Sequence, residues 1–153
     1  MKLTWTIPAS REEVFSAWTN ANLMTTWMNA DPAWRVQVES DPRLEGKVRS
    51  EVIAPDGGKH VTTGEYVEFE PGARFAVTHA YQGPGASGGV PTFVAFDFRE
   101  TQAGQTQVTL THSQLSNEEE CEAFRAGWTD LMQTLETYYS RSAGNGRGGD
   151  KGR

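Results

Sequence analysis

The sequence predicts an α+β fold, a curved antiparallel sheet of about seven strands around one long C-terminal helix, with two short helices after the first strand. Three observations carry that prediction. Cys121, Phe124, Trp128, Leu131, Leu135 and Tyr138 recur at alternating steps of three and four, the stripe of a single helix. Between Trp34 and Ser113 the apolar pattern changes to period two, with turn residues at strand-length intervals. The connections are short, which favours an antiparallel meander over parallel crossovers.

The first element is a strand, because Leu3, Trp5 and Ile7 alternate with Lys2, Thr4 and Thr6 until Pro8 ends the run. Ser10 with Glu13 three residues on is a capping box, and Val14, Phe15 and Trp18 give the helix behind it one apolar face. Asn20 can cap a second short helix bearing Leu23, Met24 and Trp27. Strands then follow at about 33–39, 45–53, 59–69, 73–81, 91–100 and 105–113. They are broken at Asp41-Pro42, Pro55-Asp56-Gly57-Gly58, Glu70-Pro71-Gly72, the stretch Gly83 to Gly89, and Ala103-Gly104. For the last helix, Ser116 and Glu119 form another capping box, and nothing breaks the pattern before Ser140. Its length of about 23 residues spans roughly 35 Å. Gly127 is read as permitting close backbone approach, which puts Trp128 at the centre of the contact between helix and sheet.

A chain of 153 residues is read as one domain over 1–140, followed by a Gly-rich basic tail over 141–153 that is expected to be disordered. The net charge of −6 is uneven: the tail carries +3, so Met1 to Ser140 carries −9. An acidic body argues against nucleic acid as a partner. The single cysteine, Cys121, excludes an intramolecular disulfide and reads as a small buried thiol on the helix stripe. Met1 to Ile7 does not resemble a signal peptide, and no apolar run approaches the roughly 20 residues of a membrane span, so the expected location is the cytoplasm.

Several segments, in this order, resemble a known family. They are Ile7-Pro8-Ala9 with Val14-Phe15-Ser16-Ala17-Trp18-Thr19 and Trp27, then Gly64-Glu65-Tyr66-Val67-Glu68-Phe69-Glu70-Pro71 with Arg74-Phe75. Val108-Thr109-Leu110-Thr111-His112-Ser113 and Phe124-Arg125-Ala126-Gly127-Trp128 complete the set. Together they are similar to the START-like, helix-grip (SRPBCC) superfamily that includes the birch pollen allergen relatives, and within it to the branch named for activators of the heat shock protein 90 ATPase. The resemblance implies a helix-grip fold and a range of activities: hydrophobic-ligand carriage, polyketide cyclisation or aromatisation, and chaperone activation with its link to the stress response. It also implies that the eukaryotic chaperone activators carry an extra amino-terminal domain, which is not seen ahead of strand one here and argues against chaperone contact. Family members often carry two adjacent tryptophans where this chain has Trp27 and Met28, which suggests a more deformable wall.

Strand alternation supplies the candidate site. If Phe75 and Val77 face the helix, so does His79; if Val108 and Leu110 do, so does His112; Val94, Phe96 and Phe98 form the inward set of the strand between. Each histidine is either a core residue with a hydrogen-bond partner or a contact for a ligand. Two histidines on different strands, with no cysteine or helical His-Glu spacing beside them, fall short of a metal site, and no cofactor motif is found. Glu65 is taken as in phase with inward-facing Val67 and Phe69, at a cavity mouth, with the reverse phase, Tyr66 and Glu68 inward, as the alternative. Gly85-Ala86-Ser87-Gly88-Gly89 lacks the context of a nucleophile elbow or a phosphate loop and reads as a variable loop.

Of the five tryptophans, Trp5, Trp18 and Trp128 are assigned to the core, while Trp27 and Trp34 flank the loop Met28 to Pro32 where a cavity would open. The expected cavity is lined by Val77, His79, Phe96, Phe98, Leu110 and His112 from the sheet and Phe124, Trp128 and Met132 from the helix, with Trp27 and Trp34 near its mouth. Three functions fit: binding of a small hydrophobic or aromatic molecule without a complete catalytic set, a cyclase, aromatase or hydrolase-like enzyme using a cavity histidine, or a protein-interaction domain. A homodimer and a chaperone contact stay open as partners.

Overall fold

In the computed structural model, residues 1–29, 32–83 and 91–151 are described, with side chains through Arg141. β1 (Lys2–Ile7) is followed by helices α1 (Arg11–Thr19) and α2 (Ala21–Met28). Both helices begin as the sequence dictates. Ser10 Oγ accepts from Glu13 N while Glu13 Oε1 accepts from Ser10 N, and Asn20 Oδ1 accepts from Leu23 N at 3.0 Å. The strands β2 (Arg35–Ser40), β3 (Lys47–Ile53), β4 (Lys59–Glu70), β5 (Arg74–Gln82), β6 (Thr92–Gln102) and β7 (Gln105–Ser113) precede the last helix, α3 (Glu118–Lys151).

One seven-stranded sheet results, in the order β1-β7-β6-β5-β4-β3-β2, with every neighbouring pair antiparallel. Only β1 departs from the meander, crossing to pair with β7 at the opposite edge from β2. The turn glycines Gly57, Gly72 and Gly104 have φ of 88°, 78° and 79°, a region that favours glycine, which is why those breaks were legible. The concave face of the sheet receives α1, α2 and α3, and the buried aromatic and aliphatic side chains between them form one core.

Two expectations are corrected along β4 and α3. On β4 it is Tyr66, not Val67, that is buried, because the pairing of β4 with β5 shifts by one residue between Tyr66 and Glu68. Such a bulge resets the alternation, so that Tyr66 and Phe69 both reach the core. The turn at 41–46 anchors this point: Tyr66 N donates to the Gly46 carbonyl and Glu45 N to the Tyr66 carbonyl. Ser40 Oγ donates to the Thr19 carbonyl at 2.7 Å and therefore accepts from Tyr66 Oη at 3.0 Å. Glu65 accordingly faces away from the core, toward Lys47 Nζ at 3.7 Å.

Helix α3 starts one residue later than expected. Asn117 Oδ1 accepts from Glu120 N and Glu120 Oε2 accepts from Ser116 N, each at 2.8 Å, so Asn117 and not Ser116 is the cap. The expected tail over 141–153 falls, after Arg141, on residues whose side chains lie outside those described. Burial along α3 is lopsided: Met132, Leu135 and Tyr139 are buried, while Cys121, Phe124, Trp128 and Leu131 are half-buried. Trp5 Nε1 donates to Glu136 Oε1 at 2.8 Å and Tyr139 Oη to the Glu13 carbonyl at 3.2 Å, fixing the later turns to β1 and α1. Trp128 is therefore not the centre of the grip. Gly127 is exposed, and a Cβ built on it meets nothing within 4 Å, so its role is not close approach.

Leu135→Ala should cost about 2–5 kcal/mol, as a large-to-small change at a fully buried site. Gly127→Ala should instead stabilise the fold by about 1 kcal/mol, because it improves helix propensity in open space. Urea denaturation midpoints moving in opposite directions check both; a stability loss at Gly127→Ala would mean that the helix needs the bare backbone there.

Candidate functional site

Because α3 is held by its later turns, its earlier turns stand off β3, β4 and β5 and leave a space of about 250 Å³. The inward rows of the sheet make the floor: Phe75, Val77 and His79 from β5 and Phe96 from β6. β3 and β4 contribute one wall, chiefly Val48, Ser50, Val52, Thr62 and Tyr66, with Tyr81 of β5 beside them. Phe124, Trp128 and Leu131 of α3 form the roof, and Trp18, Met24 and Met28 close the end formed by α1 and α2. Met28, Val52, Gly127 and Leu131 border both this space and a wider outer groove of about 950 Å³, which also meets Trp34, Val36, His60 and Tyr138.

Val77, His79, Phe96, Phe124 and Trp128 thus border the inner space, and Trp34 borders the groove. Trp27, Phe98, Leu110, His112 and Met132 do not: each is packed in the core around it. Trp27 is fully buried with its Nε1 donating to the Ala17 carbonyl at 2.7 Å and its ring edge-on to Trp18 at 5.0 Å. The two tryptophans exchange the roles read from sequence. Helical period places both on apolar faces, and only the angle between α1 and α2 decides which meets the space. Ser50, Thr62 and Tyr81 were missed too; Tyr81 continues the alternation of Val77 and His79 on β5, and the pairings of Tyr81 with Thr62 and of Thr62 with Ser50 would have found the other two.

The polar interior has a defined direction. Trp128 Nε1 can only donate, and it reaches His112 Nδ1 at 3.1 Å, so Nδ1 is the bare nitrogen and the proton sits on Nε2. His112 Nε2 then donates to Thr92 Oγ1 at 2.7 Å, and Thr92 donates to the His79 carbonyl at 3.2 Å. Protonating His112 would break its bond with Trp128. Burial, with smaller contributions from the neighbouring His79 ring and the N-terminal ammonium, holds His112 at about 3. His79 is held at about 4 by burial, against a weaker upward pull from its own backbone. Its Nδ1 is buried without a hydrogen-bond partner among the described residues, and so is Trp18 Nε1.

No Asp, Glu, Lys or Arg borders the inner space, so neither histidine has the carboxylate that general-base chemistry would use. The described residues hold no group of three or more His, Cys, Asp or Glu that could bind a metal ion. None of their helices is long and apolar enough to cross a membrane. Cys121 is half-buried on α3 rather than sealed in the core.

Because both histidines are neutral when folded but titrate near 6.5 when unfolded, their contribution is complete above that value and is lost as the pH falls toward 4 and then 3. The slope should reach about 1.4 kcal/mol per pH unit for each ring at most. Denaturation midpoints between about pH 6.5 and 5, above the main carboxylate range, should fall with acid, and less steeply in His79→Phe. A flat wild-type profile there would mean that the rings titrate in the folded protein as they do in the unfolded chain.

Comparison with known proteins agrees with this architecture. A family model described as Activator of Hsp90 ATPase homolog 1-like protein matches residues 8–140. No curated protein sequence matches the chain. Among solved structures, a protein of the same description from Silicibacter pomeroyi superposes with a TM-score of 0.78 at 18% identity, covering 93% of this chain and 98% of the other. A protein from Mycobacterium smegmatis gives 0.73 at 16% identity, over 90% and 88% of the two chains. An HSP90 activator from Plasmodium falciparum gives 0.68 at 18% identity, over 90% and 94%.

Proposed function

This chain belongs to the Activator of Hsp90 ATPase homolog 1-like family, and on that premise we propose that it binds a small apolar or aromatic molecule between its sheet and its last helix. One observation carries the reading: the earlier turns of α3 leave Phe124 and Trp128 half-buried over an aromatic space with a side opening, instead of closing on the sheet. Exposed apolar wall is an unfavourable state that an apolar guest relieves, by about 25 cal/mol for each Å² removed from water. A compact floor of Phe75 and Phe96, stacked with ring centroids 4.7 Å apart, suits a flat guest. Catalysis is not part of the reading, since His112 is committed to Trp128 and Thr92 and His79 has no carboxylate beside it. Contact with a chaperone rests on likeness to relatives of under 25% identity, which carries the fold alone.

Mass action gives the test. A flat aromatic ligand at a hundredfold excess over its dissociation constant should stabilise the protein by about 2.7 kcal/mol. A thermal-shift screen of such compounds should therefore yield hits that Phe96→Trp, provided it stays folded by circular dichroism, no longer shows. A broad screen without a hit would overturn the binding function.

A further inference from the structure

We infer that the cavity selects an uncharged aromatic molecule bearing a phenolic hydroxyl, over the corresponding acid and over the bare hydrocarbon. This rests on the small-molecule reading above and narrows it to a ligand class. The first argument is charge. The lining contains no Asp, Glu, Lys or Arg, and burying an unpaired carboxylate or ammonium in such a wall costs far more than apolar contact returns. The titratable groups that do border it are neutral near pH 7: burial lowers His79 and raises both Tyr66 and Tyr81. Asp130 and Arg141 border the outer groove and not the inner space.

The second argument is the pair of unpartnered polar atoms. Trp18 and His79 are 4% and 9% exposed, both border the cavity, and Trp18 Nε1 and His79 Nδ1 lack a partner among the described residues. A buried polar atom left unmade costs about 1–3 kcal/mol; neither nitrogen is open to the space as the rings stand, and a guest that turns them toward itself and supplies the missing partner recovers that cost. The indole N–H can only donate and calls for an acceptor oxygen. The His79 nitrogen donates or accepts according to its tautomer, and a hydroxyl serves either case. A further set of hydroxyls lies across the wall, where Ser50 pairs with Thr62 and Thr62 with Tyr81 in register. There Tyr81 Oη is already held by His60 Nδ1 at 2.6 Å. A hydroxyl therefore finds partners, a carboxylate finds no counter-charge, and a hydrocarbon leaves both nitrogens bare.

Isothermal titration of the full chain near pH 7 with naphthalene, 2-naphthol and 2-naphthoate separates these terms, since the three share one ring system. The expected result is 2-naphthol binding about tenfold tighter than naphthalene and at least about tenfold tighter than 2-naphthoate. Trp18→Phe and His79→Phe should each shrink the advantage of naphthol over naphthalene to within about threefold. The wild-type comparison decides even if a variant fails to fold. Naphthalene and naphthol binding equally well would overturn the hydroxyl preference, and naphthoate binding tightest would overturn the neutral cavity; both outcomes leave the binding function intact. Failure of all three to bind would overturn this inference together with the function it rests on.

Discussion

The structure depends on an uneven grip. Met132, Leu135 and Tyr139 bury the later turns of α3 against the sheet, and the Trp5 to Glu136 and Tyr139 to Glu13 hydrogen bonds fix their rotation and depth. A rigid helix held at one end cannot follow a sheet that curls away beneath the other. The earlier turns therefore span open space, and Phe124 and Trp128 reach down from them only part of the way. Gly127, with nothing opposite its missing side chain, lies on the helix face that borders both the inner space and the outer groove.

What holds the unsupported turns at a fixed height is polar. The bond from Trp128 to His112 ties helix to sheet, and the chain continues through Thr92 to the His79 backbone. Each member has one assignment of donor and acceptor, because the indole at one end can only give a proton and the carbonyl at the other can only receive one. His112 is thereby a strut whose neutral form is required. His79, two strands away across β6 with its ring 5.0 Å from that of His112, shares the burial but not the partners. The same short stretch of interior holds a satisfied histidine and an unsatisfied one, and the second borders the space under α3.

Much of the fold was legible in the chain. The strand at Lys2–Ile7, the caps at Ser10 and Asn20, the glycine turns and the helical stripe all come from interactions within a few residues, which short sequence windows record. The site was legible only in part. Val77, His79 and Phe96 follow from alternation on β5 and β6, where the register is unbroken. Tyr66 was placed on the wrong face because the β4 bulge is set by hydrogen bonds from the turn at 41–46, which is distant in sequence. Trp18 and Trp27 were exchanged because both lie on apolar helix faces, and the packing of α1 on α2 alone distinguishes the cavity wall from the core.

By itself the sequence determined the kinds and order of the elements, the antiparallel connections, and the supply of aromatic and histidine side chains to one face of the sheet. Period, capping and turn chemistry are local, and the chain carries them wherever it goes. The tertiary structure alone decided where α3 closes and where it stands off, which histidine is satisfied and which is bare, and which tryptophan meets the cavity. Those outcomes depend on the curl of a sheet whose first strand pairs with its last, and on bonds such as Trp5 to Glu136 that join residues far apart in the chain. No periodicity encodes a distance between such pairs, so the space under α3 and its lining exist only once the sheet has closed around the helix.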